Sequence, residues 1–261
     1  MASCLKICEN LVTGQARYRQ EVLIIPATID NEKVLEISGC ETQSNNYVKK
    51  IIIEEGVERI GFCAFLKFYQ LQEVILPNSL KYIDERAFEY CKLLQEIVIP
   101  NNVQTIGDKA FYECNSLKKV FIAEGLLSIG DYAFNYCDLH EIILPESLEK
   151  IGSCAFSQSN NLKELVIPKN VREVGYGIVN SEKTVITVQN AQNAMHWEKN
   201  WFSKAEVNYL NVEDMEISLL SIENGGLAYL YGKDYNKKDY DLYHSMFCKR
   251  FRQFKRDFKD F

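Results

Sequence analysis

The chain alternates short apolar strands with polar turns on a fixed period. One unit shows the pattern. In Leu94-Gln95-Glu96-Ile97-Val98-Ile99-Pro100, the residues Leu94, Ile97 and Ile99 follow Leu-x-x-Leu-x-Leu spacing. That spacing predicts a short strand sending alternate residues inward. Pro100 has no backbone donor and ends the strand. Asn101 to Gly107 then predicts a turn and a short extended stretch, with Val103 and Ile106 facing the core. Ala110 and Phe111 fill the far wall, the small residue for close approach and the large one for volume. The same reading places strands at 48–54, 71–77, 117–123, 139–145 and 162–168. Val22 to Pro26 opens the series, and Thr184 to Val188 is its last regular strand.

The far-wall segment repeats as a motif. Its copies are Ile60-Gly61-Phe62-Cys63-Ala64-Phe65, Ile83-Asp84-Glu85-Arg86-Ala87-Phe88 and Ile106-Gly107-Asp108-Lys109-Ala110-Phe111. Ile129-Gly130-Asp131-Tyr132-Ala133-Phe134 and Ile151-Gly152-Ser153-Cys154-Ala155-Phe156 follow, with a decayed copy at Val174 to Val179. The leading residue steps through 60, 83, 106, 129, 151 and 174. A period in this range predicts a solenoid, because one coil cannot bury its own apolar face and must stack on its neighbours.

Strand-Pro followed by Val-x-x-Ile-Gly-x-x-Ala-Phe-x-x-Cys-x-x-Leu resembles the BspA-like leucine-rich repeat family over about residues 20–190. The opening Ile25-Pro26-Ala27-Thr28-Ile29-Asp30 resembles that family's first repeat. The resemblance implies a right-handed coil with a parallel β-sheet on one face and short turns or strands on the other. It also implies bacterial or protist surface proteins that work in adhesion and protein binding. The expected division is a solenoid with its caps over 1–211 and a non-repeat tail over 212–261.

Alternation fixes which strand residues face outward. If Val74 and Leu76 point in, then Glu73, Ile75 and Pro77 point out. The middle outward position reads Ile24, Ile52, Ile75, Val98, Phe121, Ile143 and Val166, apolar throughout. Beside it runs Lys50, Glu73, Glu96, Lys119, Glu141 and Glu164. The rungs from Ile52 to Val166 predict an apolar stripe roughly 24 Å long, rimmed by charge. Three explanations stand side by side. β-branched residues suit strands anyway; the stripe binds a partner; or another part of the chain, or a second copy, covers it.

Beyond the repeats, 191–197 predicts a short helix and 207–210 a closing strand. Trp197 and Trp201 are placed to plug the open end of the stack. Phe247, Phe251, Phe254, Phe258 and Phe261 then step by 4, 3, 4 and 3, one face of a helix. Residues 247–261 hold six Lys or Arg and two Asp, for a charge of +4 against −6 for the whole chain. Such a helix suits an acidic membrane, a calmodulin-like groove or an acidic protein face, or packs its Phe face on this protein, on a following domain or on a second copy, which would give self-association.

Composition narrows the function. Net charge −6 and pI near 5.3 disfavour nucleic acid as a partner. No apolar run approaches a bilayer span. Met1 to Asn10 lacks the apolar core of a secretion signal, so the sequence as written reads as cytoplasmic. A removed signal or a non-classical export route would instead place it at the cell surface or outside. Cys91, Cys114 and Cys137 each follow their Phe by three residues, and Cys63 and Cys154 each precede their Ala. This predicts a ladder of buried thiols rather than disulfides. His140, His196 and His244 have no metal-site spacing. No phosphate loop, nucleophile elbow or zinc-protease helix is present, so no cofactor and no enzymatic activity are expected. The expected function is a non-catalytic scaffold holding a protein partner on its strand face. The alternative is a structural or oligomerisation module serving a C-terminal domain.

Overall fold

The computed structural model describes residues 3–6, 21–42, 44–190, 194, 197–209 and 228–229. The early strands are β1 (Ser3–Lys6), β2 (Val22–Ile25), β3 (Thr28–Ile29), β4 (Glu32–Ser38), β5 (Lys50–Ile53) and β6 (Arg59–Ile60). The regular repeats give β7 (Glu73–Ile75), β8 (Tyr82–Ile83), β9 (Glu96–Ile99), β10 (Thr105–Ile106), β11 (Lys119–Ile122), β12 (Ser128–Ile129) and β13 (Glu141–Ile143). After them come β14 (Lys150–Ile151), β15 (Glu164–Ile167), β16 (Glu173–Val174), β17 (Val185–Val188), β18 (Glu206–Tyr209) and β19 (Ala228–Tyr229).

These strands form a solenoid with two walls. One wall is a continuous parallel ladder, β1-β4-β6-β8-β10-β12-β14-β16, with β3 folded antiparallel onto β4. The Ile of each repeat motif ends its two-residue strand there. The other wall holds the longer strands, paired in parallel as β2-β5-β7, β9-β11-β13 and β15-β17-β18-β19. β7 and β9 remain neighbours, as do β13 and β15. The observed strands are shorter than the pattern predicts, because their first residues close turns instead of joining the ladder. Leu71 is an example: its N–H donates to Phe68 O at 3.0 Å.

The core is a set of columns running along the solenoid axis. Phe65, Phe88, Phe111, Phe134 and Phe156 are fully buried. Their successive ring centroids lie 5.2, 5.2, 5.1 and 5.8 Å apart. Each N–H of this column donates to the next coil, as Phe111 N does to Ala133 O at 2.8 Å. The thiols of Cys91, Cys114 and Cys137 donate back to Phe65, Phe88 and Phe111 carbonyls at 3.4, 3.2 and 3.2 Å. Burial pushes all three thiols well above their ordinary range. Cys63 is also buried, with its thiol pushed up to about 11 by desolvation, but Cys154 is only half-buried.

Each far-wall turn uses left-handed backbone at two residues that are not glycine. Cys63, Arg86, Lys109, Tyr132 and Cys154 have φ of 53°, 57°, 54°, 58° and 56°. Lys67, Tyr90, Glu113, Tyr136 and Gln158 repeat the feature four residues later. The conformation costs L-residues energy, which the stacked coils hold in place. Lys109, Tyr132 and Tyr136 are exposed at these positions, whereas Cys63 is buried.

At the far end Trp197, Trp201 and Phe202 are buried, with Trp197 and Trp201 edge to face at 4.8 Å. Trp201 O accepts from Ile178 N at 2.7 Å, so the aromatic group sits on the last motif-bearing coil. The helix expected over 191–197 falls largely outside the described residues. The strand expected at 207–210 is β18, and it does not end the sheet. Ala228 and Tyr229 pair in parallel with Val207 and Asn208.

Candidate functional site

The strand wall carries the outward columns in register. Pairing aligns Ile24 with Ile52 and Ile52 with Ile75. It likewise aligns Val98 with Phe121, Phe121 with Ile143, and Val166 with Thr187. In the neighbouring column Lys50 aligns with Glu73, Lys119 with Glu96 and Glu141, and Glu164 with Val185.

Their exposure is uneven. Ile24, Ile75 and Val98 are 55%, 39% and 36% exposed. Ile52, Phe121, Ile143 and Val166 are half-buried, while Glu73, Glu96, Lys119, Glu141 and Glu164 are exposed. Lys50 Nζ meets Glu73 Oε1 at 2.8 Å across adjacent rungs. Inward partners such as Val74, Ile97, Val120 and Leu165 are buried. Pro77, expected to face outward, is buried instead. The chain turns there, with Leu80 N donating to Pro77 O at 3.2 Å.

The apolar column has a polar end beyond the positions that alternation in the regular strands predicts. Val166 is followed by Thr187 and then Asn208 on the same line. Aligning Val185 to Val188 and Glu206 to Tyr209 with the regular strands would have revealed it. The surface is therefore an apolar run over seven rungs with a hydrophilic terminus. Phe247, Phe251, Phe254 and Phe258, and the helix expected around them, lie outside the described residues.

The described residues hold no group of three or more His, Cys, Asp or Glu placed for a metal ion. The thiols of Cys91, Cys114 and Cys137 are bonded to carbonyls of neighbouring coils. Among the described residues no helix is long and apolar enough to cross a membrane.

No curated protein matches the chain. Among solved structures, a T. pallidum leucine-rich repeat protein is similar at 22% identity and TM-score 0.46, covering 73% of each chain. A leucine-rich cell surface protein of Faecalibacterium prausnitzii A2-165 is similar at 18% identity and TM-score 0.47, covering 65% of this chain and 66% of that one. The pneumococcal vaccine antigen PcpA is similar at 17% identity and TM-score 0.38, covering 86% of each chain. The family described as the BspA type leucine-rich repeat region matches in six copies, over residues 39–142 and 86–209. With its repeat motif, its parallel two-walled coil and this match over more than half its length, the chain belongs to the BspA-type leucine-rich repeat family.

Proposed function

We propose that this solenoid is a protein-binding scaffold that seats a partner on its strand wall. Leucine-rich repeat proteins are generally protein-interaction scaffolds, and the fold is typically non-enzymatic. The observation that carries the reading is the series of outward positions from Ile24 to Val166 on neighbouring strands, apolar at every rung and bordered mostly by exposed charge. A partner would bury Ile52, Ile75, Val98, Phe121, Ile143 and Val166. Glu73, Glu96, Lys119, Glu141 and Glu164 would set its orientation, since rim charge steers and orients more than it binds. Adhesion or host interaction is the setting we assign to it, at the cell surface rather than in the cytoplasm. The test is capture by the full chain with Ile75, Val98, Phe121 and Ile143 changed to Ser or Asp. Loss of the partners that wild type retains is expected. Unchanged capture by folded variant protein overturns the proposal.

A second reading is favoured by β19, which brings part of 212–261 onto the end of the same sheet. The tail would then serve self-association, with Phe247, Phe251, Phe254 and Phe258 packing on the solenoid or on a second copy. Changing those four to Ser should alter the oligomeric state or the stability of the full chain; no change in either removes this reading.

A further inference from the structure

A row of tyrosines crosses the turn edge of the solenoid, away from the strand wall. Tyr90 and Tyr112 lie edge to face at 6.0 Å, and Tyr112 and Tyr136 at 5.9 Å. Tyr90 and Tyr136 stand on the left-handed residues of their turns, which project them outward, and Tyr136 is 45% exposed. At one end of the row the chain has placed a cation of its own. Lys92 Nζ sits 5.9 Å from the Tyr69 ring and 5.8 Å from the Tyr90 ring, within the range of a cation–π contact.

Towards the other end of the row the charge that follows the tyrosine in sequence is reversed. Two residues after Tyr90 the chain carries Lys92; two residues after Tyr136 it carries Asp138. Between them Glu113 occupies the left-handed position of its coil and makes no ion pair among the described residues. Its carboxylate is close enough to act on Tyr90 and Tyr112, whose phenols are held above their ordinary range by burial first and by Glu113 next. Asp138 accepts from Asn161 Nδ2 at 2.6 Å and lies 3.6 Å from His140 Nε2.

We propose that this edge is a second binding row, which takes a lysine or arginine side chain from an extended segment of a partner protein. The cation rests against Tyr112 and Tyr136, with Glu113 and Asp138 as counter-charges. Lys92 over Tyr69 and Tyr90 is the same contact made within the chain. The three coils from Tyr90 to Tyr136 cover about 10 Å at a rung spacing of about 4.8 Å. An extended segment of about three residues, rising about 3.3 Å each, spans that length. The row is independent of the strand wall and stands if that proposal fails.

The test is calorimetric titration of the full chain with an alternating Gly-Arg hexapeptide amide and with its citrulline counterpart, a near-isostere without charge. Saturable binding of the arginine peptide is expected, at least 10-fold tighter than the citrulline peptide. Tyr136→Ser and Glu113→Gln should each weaken it several-fold, and Asp138→Lys more than 10-fold. Paired Ile75→Ser and Val98→Ser should leave it unchanged. Equal binding of the two peptides overturns the cation assignment. Binding that survives Tyr136→Ser and Glu113→Gln shows only general attraction to an acidic protein, and also overturns it. So does the absence of saturable binding. The exposed Tyr136 and the conservative Glu113→Gln keep the outcome readable if Asp138→Lys fails to fold.

Discussion

The ring of Phe111 lies 5.1 Å from that of Phe134 and within 2° of parallel to it. Phe88 stacks on its other side at 5.2 Å and 5°. Phe111 is therefore the middle of a spine in which each of the three inner rings stacks on two neighbours from other coils. Phe111→Ala should cost about 3–5 kcal/mol, since the cavity opens between rigid layers that collapse poorly. Because coils touch only adjacent coils, the loss should also divide unfolding into two stages. Chemical denaturation followed by tyrosine and tryptophan fluorescence checks both; a single transition of wild-type midpoint would contradict the spine's role.

Backbone packs on backbone in the glycine column beside the spine. A Cβ on Gly152 would lie 2.4 Å from Gly130 C and 2.5 Å from Asp131 N. Gly152→Ala must push two coils apart, at about 1–3 kcal/mol. On Gly61 the nearest atoms are the end of the flexible Glu36 side chain at 2.9 Å and the Ile37 carbonyl oxygen at 3.0 Å, both farther than the backbone atoms facing Gly152. Gly61→Ala should be milder, and equal denaturation midpoints for the two variants would count against this account.

The thiol ladder predicts an order of chemical reactivity. Cys91, Cys114 and Cys137 are buried, held as thiols and bonded to carbonyls, whereas Cys154 is half-buried. Iodoacetamide at pH 8 should modify Cys154 in the folded protein and leave those three untouched until it unfolds, because only an accessible thiolate attacks. Mass mapping of the adducts decides it, and early labelling of Cys114 would refute the ladder.

Glu55 links neighbouring coils by accepting Asn78 N at 2.8 Å and Ser79 N at 3.0 Å. The Asn78 backbone N–H is the largest influence and holds this carboxyl below its ordinary 4.5, against the opposing effect of desolvation. A lowered folded value means that its contribution is complete above pH 4.5 and fades as the pH falls through the lowered value. Glu55→Gln should therefore narrow the stability gap between neutral and acid conditions. The effect should stay under about 1 kcal/mol, as the group is exposed and screened. Denaturation midpoints of both proteins at pH 7 and pH 3 measure it; a difference that grows on acidification would reverse the sign.

Much of this was legible in the residues because stacking forces repetition. Ile106, Ala110, Phe111 and Cys114 recur at one interval, and all four are buried where the spacing puts them. The turn geometry was not legible. Cys63, Arg86, Lys109 and Tyr132 share a left-handed backbone without sharing any chemical property, so composition gives no sign of it. The tyrosine row was hidden for a related reason. Tyr90 and Tyr136 follow their Phe by two residues but Tyr112 follows by one, so no single repeat position carries the row. Only the packing of adjacent turns brings the three rings into contact.

The sequence by itself determined the coil, its period, its core columns and the outward column from Ile24 to Val166. Each follows from alternation within a strand and from the need of every coil to bury the same face. The tertiary structure decided what lies between coils. It placed Thr187 and Asn208 as the polar end of the apolar column, joined Ala228–Tyr229 to the sheet and set Lys92 between Tyr69 and Tyr90. Those relationships depend on lateral register and on the direction in which a left-handed turn aims its side chain, and neither is encoded in the identity of one residue.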